Sequence, residues 1–332
     1  MTQSTTVKHA ESTPLGEGKH KKKNPYLLPI LCIVLFSICA PYIYYAVLIH
    51  IHLGETAPAD FVYAKPSDFW MTIVGAIVTQ SYRGIIHMIM PAVFYPITKG
   101  GDDEAERKKY TYKATEHFFR GTYFLASAVW GWTVLKDSHY LPTSLGGPSD
   151  ADLMSFKLGD SIMQPASQAL LQYSFYTWGF HLGNSIQHVL FEERGPEFAE
   201  MFIHHIAANS LYFAYIYGNA FLFGSIVAYL HDLADIPANL GKSFGSTTLG
   251  GLTGVIGVFL VSIWFWTRIY LLPQIIYFIS QTKMDPSLER FSPFILLNMI
   301  FLGIMCVLHY YWFVLIVRMI LRFATSGATD DL

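Results

Sequence analysis

Charge is what this sequence is short of. Of its 332 residues only 14% are Asp, Glu, Lys or Arg, against 52% hydrophobic. A water-soluble domain usually carries about 25% charge, so this chain lacks the polar surface to face water all round. The charges nearly cancel, to a net −2, which by itself says little, and no run of residues resembles a nucleic-acid face. Cysteine is scarce as well. Cys32, Cys39 and Cys306 all fall inside apolar runs, so neither a disulfide framework nor a CxxC metal site is implied. The HxxxH and HxxHH clusters that hold iron in membrane hydroxylases and desaturases are missing. No internal repeat is present, and no small-residue cleavage site follows the first apolar run, which is therefore read as a retained anchor.

What the chain has in quantity is long apolar runs, and a spanning helix needs about 20 such residues. They extend over Leu27 to Leu53, Trp70 to Thr98, Phe118 to Leu135, Ile162 to Phe191, Ile203 to Leu230, Leu249 to Ser280 and Pro293 to Val317. The second carries Arg83 and His87 in mid-run, where charge is expensive, so an interfacial position is an alternative for it. Turn chemistry separates the runs at Lys99 to Asp103, Leu141 to Asp150, Glu193 to Pro196 and Met284 to Ser287. Tyr and Trp gather near many run ends, as an aromatic belt does. The expectation is an all-α polytopic membrane protein with 7–8 spans. A cytosolic polar tail (1–26) precedes N-terminal anchor helices (27–98), a core domain (110–322) and a C-terminal tail (323–332).

Ionisable residues inside apolar runs are functional candidates by default. The main cluster is His204-His205, followed by an uncharged stretch with Asn219 and then His231, Asp232 and Asp235. Adjacent histidines point about 100° apart on a helix, so one of the pair faces a substrate. His204 and His231 are 27 residues apart, about 40 Å on one straight helix at 1.5 Å per residue, too far to share a reacting centre. Gly218 and Gly224 flank Asn219, and a break there returns both clusters to one membrane face. Broken helices are tolerated where they line a cavity. The positive-inside rule puts Lys19 to Lys23 and the loop Lys99 to Lys113 in the cytosol. A split then gives eight crossings and returns Arg318 and Arg322 to that side, although Lys283 and Arg290 fit less well. Ser174, Thr177, His181, Asn184 and His188 form a second polar stripe on one helix face, read either as interhelical hydrogen bonding or as a cavity wall. Arg120, Arg268 and His309 stand alone in their runs and read as snorkelling or packing residues.

From Glu200 through Lys242 the chain resembles the ceramide synthases among the TLC-domain membrane proteins. His204, His205, Asn219, Gly224, His231, Asp232, Asp235 and Lys242 fall in the corresponding places without gaps. The likeness continues at Tyr173 to Tyr176, Thr267-Arg268, Leu308 to Trp312, and Lys113 to Glu116 with Arg120. Two departures stand out: Leu222 where the family has Arg, and Asn239 where an acidic residue is usual. The resemblance implies a TLC-type six-helix core behind the leading helices, in a multi-pass protein of the endoplasmic reticulum membrane. It implies transfer of a fatty acyl group from acyl-CoA, as substrate, to a sphingoid base amine, with no cofactor and no metal. The residues suit that chemistry: His204 and His205 as base or acyl acceptor, Asp232 and Asp235 as their orienters, and Asn219 as a donor to the oxyanion. His231, His181, Asn184, Lys242 and Arg268 complete the expected substrate-binding set. Membrane lipids are the expected surroundings, and homo- and hetero-oligomers are both left open. A non-catalytic TLC protein, a lipid binder or structural subunit, is the alternative that Leu222 raises.

Overall fold

The structure is a computed structural model. It describes residues 27–138, 141, 143–148, 165–192, 195, 198–281 and 286–326. The tail 1–26, most of the segment 139–164 and the last six residues lie outside that description, as does the Leu222 side chain. Two units are distinguished. Met1–Ile38 is helical from Leu27 onward, and Cys39–Leu332 holds every residue of the site described below.

The described chain is helical, with no strand and one isolated antiparallel bridge between Thr98 and Thr247. Helix α1 is Leu27–Thr56, α2 Trp70–Phe94, α3 Glu104–Leu135, α4 Gln168–Phe191, α5 Phe198–Tyr217 and α6 Phe221–Gly245. Helix α7, Gly250–Trp264, runs through a π-helical stretch, Phe265–Leu271, into α8, Leu272–Gln281; α9 is Ser292–Ser326. Among the described residues three helical stretches are long and apolar enough to cross a membrane: Pro66–Ile97, Gly250–Gln281 and Leu288–Arg322. Met88 on α2 is 81% exposed and Val258 on α7 65%, surfaces that hydrocarbon covers without cost.

Local sequence explains the boundaries. Asp103 caps α3 by accepting from the backbone N–H groups of Ala105 and Glu106 at 2.9 and 3.2 Å. The helix therefore starts well before the apolar run at Phe118, and its first turns carry the charges of the predicted loop. Ser167 caps α4 in the same way, accepting from Leu170 N–H at 3.1 Å. The uneasy charges of α2 have partners. Glu116 accepts from Arg83 at 2.8 Å, from His87 at 2.9 Å and from Arg120 at 2.9 Å, so α2 keeps its length. Helices α2 and α4 touch backbone to backbone. A Cβ on Gly179 would sit 2.4 Å from the Thr72 carbonyl and 2.8 Å from the Gly75 carbonyl carbon, the small-residue contact typical of membrane helices.

The predicted break is present. Helix α5 ends at Tyr217 and α6 begins at Phe221. Asn219 holds φ at +51° as the left-handed residue of a Schellman turn: its N–H donates to Ile216 O at 3.3 Å and that of Ala220 to Tyr215 O at 2.8 Å. The arms then run back along each other. A Cβ on Gly224 would lie 2.1 Å from Tyr215 Cγ, so only glycine permits this approach. Cysteines introduced into a cysteine-free chain at Ala199 and Thr248, both exposed, should react with an impermeant thiol reagent from the same side of the membrane. Labelling from opposite sides would mean that the two arms do not form a hairpin.

Candidate active site

Between the arms and α9 lies a cavity of about 120 Å³. His181, His204, His231 and Asp235 form its polar end. Leu211, Phe223, Val227, Ile295 and Leu302 are among its apolar walls, and Tyr215, Ala220 and Phe294 line it beside the turn. From His231 to Ala220 the wall is eleven residues long, about 16 Å of helix.

Only one of the adjacent histidines faces this space. His204 lines it, with its ring 5.4 Å from that of Trp312. His205 turns toward α4, its ring 5.1 Å from that of His188. The 100° offset of neighbouring helix positions requires this division. In each ring Nδ1 is buried without a hydrogen-bond partner among the described residues. His188, at the end of the polar stripe, directs both nitrogens at acceptors: the Glu192 carboxylate at 2.7 Å and the Phe198 carbonyl at 3.2 Å. The rest of the stripe divides. Ser174 and Thr177 donate back to carbonyls of their own helix at 2.7 and 2.8 Å, His181 lines the cavity, and Asn184 does not.

The α6 residues point three ways. His231 donates from Nδ1 to the Val227 carbonyl at 2.6 Å, which fixes its tautomer and leaves the lone pair on Nε2. That atom is buried and has no partner among the described residues. Asp235 accepts from the Arg268 guanidinium at 2.7 Å. Arg268, 2% exposed, also donates to the His231 main-chain carbonyl at 3.1 Å and lies 4.0 Å above the Trp264 ring. Asp232 faces α3 and α4, accepting from Ser127 at 2.6 Å and Tyr173 at 3.3 Å. As the site stands, neither carboxylate takes a histidine ring as its partner, which differs from the expected orienting role. Arg268 is not an isolated packing residue but the counter-ion of Asp235.

The π-helical stretch that holds Arg268 has a local cause. Pro273 has no N–H and its ring crowds the carbonyl four residues back; that carbonyl, of Ile269, receives the Tyr310 hydroxyl at 3.4 Å. Widened turns of this kind often occur at functional sites.

Asn219 does not sit with the histidines. It is 15 residues from His204, about 22 Å along α5, in the turn at the other end of the cavity, so the expected oxyanion role is corrected to a helix-terminating one. Asparagine suits that position because its short polar side chain tolerates the left-handed conformation. Lys242 is exposed at the last turn of α6. Asn239 accepts from His117 Nδ1 at 3.1 Å, so the amide that replaces an acid joins α3 to α6. Sequence reasoning read His309 only as a snorkelling or packing residue, and it missed the Ser127–Tyr173 pair around Asp232. For His309 a signal existed: Leu302, Met305, His309 and Trp312 are spaced 3, 4 and 3 along α9, one helix face. Among the described residues no three His, Cys, Asp or Glu side chains converge as metal ligands.

Residues 113–318 match the TLC domain, and the chain belongs to that family of membrane proteins. Its similarity to ceramide synthases is borne out. It is 29% identical to ceramide synthase 4 of Mus musculus over 172 residues, 49% of this chain and 42% of that protein. It is 30% identical to ceramide synthase 3 of Homo sapiens over 164 residues, 49% and 40% of the two chains. ASC1-like protein 3 of Oryza sativa subsp. japonica is 27% identical over 228 residues, 67% of this chain and 75% of that one. The chain thus spans about two fifths of the length of these two mammalian ceramide synthases.

Proposed function

We propose that this chain is a ceramide synthase of the endoplasmic reticulum membrane, transferring a fatty acyl group from acyl-CoA to the amine of a sphingoid base. The observation that carries the reading is the hairpin, which returns His204 to His231 and Asp235 at the polar mouth of an apolar cavity. His204 attacks the thioester carbonyl, CoA leaves as thiolate, and the acyl chain lies along the apolar walls. An acyl-imidazole is an activated donor and splits one hard transfer into two easier steps. The amine then attacks the same carbonyl, a carbon–nitrogen bond forms, and the bond to His204 breaks with its electron pair returning to the ring. His231 Nε2, which has no hydrogen-bond partner among the described residues, takes the amine proton. Asp235 and Arg268 hold the His231 backbone in place, and His205 supports this step from behind His204. Exposed Lys242 is suited to the phosphates of CoA at the cytosolic face, in a chain of eight crossings.

Purified protein given acyl-CoA alone should release close to one CoA per active enzyme and gain the mass of the acyl group, and sphinganine should then discharge it as amide. Turnover with both substrates but no burst and no adduct would leave histidine as general base only. No amide under any condition would favour the other reading, a non-catalytic TLC-domain lipid binder, which Leu222 in place of the family's arginine supports.

A further inference from the structure

Of the buried polar groups that this chemistry leaves unused, His309 is the most costly to hold. It is 0% exposed, and neither ring nitrogen has a hydrogen-bond partner among the described residues. A polar atom buried without a partner keeps the full cost of its lost hydration, and native proteins hold few such atoms. The position does not require a polar side chain for its surroundings. What α9 gives there to hold the fold is its backbone, since the Trp264 indole N–H donates to the His309 main-chain carbonyl at 3.2 Å. The ring is packed at 6.0 Å against both Trp264 and Trp312, an apolar enclosure that a hydrocarbon ring would fill.

Its neighbour on the remaining side is His231, with ring centroids 4.7 Å apart. The two rings thus adjoin: His231, whose Nδ1 is tied to Val227 and whose Nε2 has no partner, and His309, with no partner at either nitrogen among the described residues. Each helix supplies one side of the pair. Met305 one turn earlier on α9 lines the cavity, and Trp312 one turn later lies against His204, so His309 belongs to the face of α9 turned toward the reacting groups.

We propose that His309 is a positioning residue that acts through His231, resting on the acyltransferase reading above. When His231 takes the amine proton on Nε2, the ring becomes imidazolium. His309 then accepts the hydrogen bond from that Nε2–H, so the proton is drawn away from the new amide instead of remaining beside it. The amine N–H bond breaks, the N–H on His231 forms, and no further reactant is needed. Before proton transfer His309 makes no bond, which is why its nitrogens stand alone in the resting site. A role realised only in the charged state raises kcat and leaves substrate affinity unchanged.

The test uses full-length protein in detergent with acyl-CoA and sphinganine, comparing wild type with His309→Phe and His309→Leu. Both variants remove two unpartnered polar atoms, so their Tm should equal or exceed that of wild type. Their kcat should fall tenfold or more at unchanged KM for either substrate, while CoA release from acyl-CoA alone is preserved. His309→Gln, which accepts a hydrogen bond, should recover part of the rate. Wild-type kcat in the apolar variants overturns the proposal. So does a lower Tm in both, which would make the imidazole a packing element, or loss of the CoA burst together with turnover. A wild-type protein that forms no amide sinks the acyltransferase reading itself; an active wild type with indifferent variants sinks only this inference.

Discussion

His204→Ala should lower N-acylation by at least about a hundredfold, the low end of what a positioned acid–base or nucleophilic group contributes, with insertion and Tm little changed. His204 makes no hydrogen bond through Nδ1 among the described residues, so its removal leaves no orphaned partner, and the loss is confined to chemistry. The contrast with its neighbour is part of the prediction. His205 lies against His188 rather than in the cavity, so His205→Ala should cost less than His204→Ala and should retain some CoA release with acyl-CoA alone. Rates from a detergent-solubilised assay, corrected for folded protein, decide it. More than about a tenth of wild-type activity in His204→Ala would remove that residue from the acyl step, since general catalysis by such groups exceeds that margin.

Asp235→Asn should be costlier to the fold than any single histidine change. The carboxylate, half-buried itself, is the counter-ion of the buried Arg268, and removing one partner of a buried ion pair typically costs up to about 3–5 kcal/mol, because the remaining charge is left uncompensated. Asp235→Asn should therefore lower Tm sharply and abolish activity at once, and Arg268→Met alone should do much the same from the other side. The double variant removes both charges and should recover most of the lost Tm, since apolar replacements of buried pairs are often neutral. Activity should not return with it, as the His231 carbonyl has then lost the Arg268 donor that steadies it. A double variant no more stable than the singles would show that the two side chains do not act as a pair.

Much of this was legible beforehand because it depends on local rules. The break near Asn219 follows from the distance between two polar clusters that a straight helix would hold apart, and Gly224 marks where the arms cross. The division of His204 from His205 follows from helix geometry alone. What stayed hidden were the pairings between distant segments. Arg83 and His87 looked like a defect of α2 because Glu116 is 33 residues from Arg83. Arg268 looked isolated for the same reason, and Asp232 was assigned to a histidine when its partners are Ser127 and Tyr173 on two other helices. Hydrophobic periodicity reports which face of a helix is buried; it carries no record of which helix lies opposite. Asn219 shows a different limit. Its residue type fits an oxyanion donor and a helix terminus equally well, and only the backbone angle separates the two.

The reach of those pairings bears on how the protein is made. Asp232 is held by Ser127, 105 residues earlier in the chain; Asp235 is held by Arg268, and His231 lies against His309, 78 residues later. A chain emerging from the ribosome inserts α5 and α6 long before α9 exists, so during that interval Asp235 and the histidines have only water, lipid or one another as company. The wall that α9 gives the cavity, and the contact of His309 with His231, are therefore the last parts of the site to form. A molecule interrupted before α9 carries every residue of the histidine–aspartate string and still has no enclosed cavity, which makes the cavity itself a report on completed insertion.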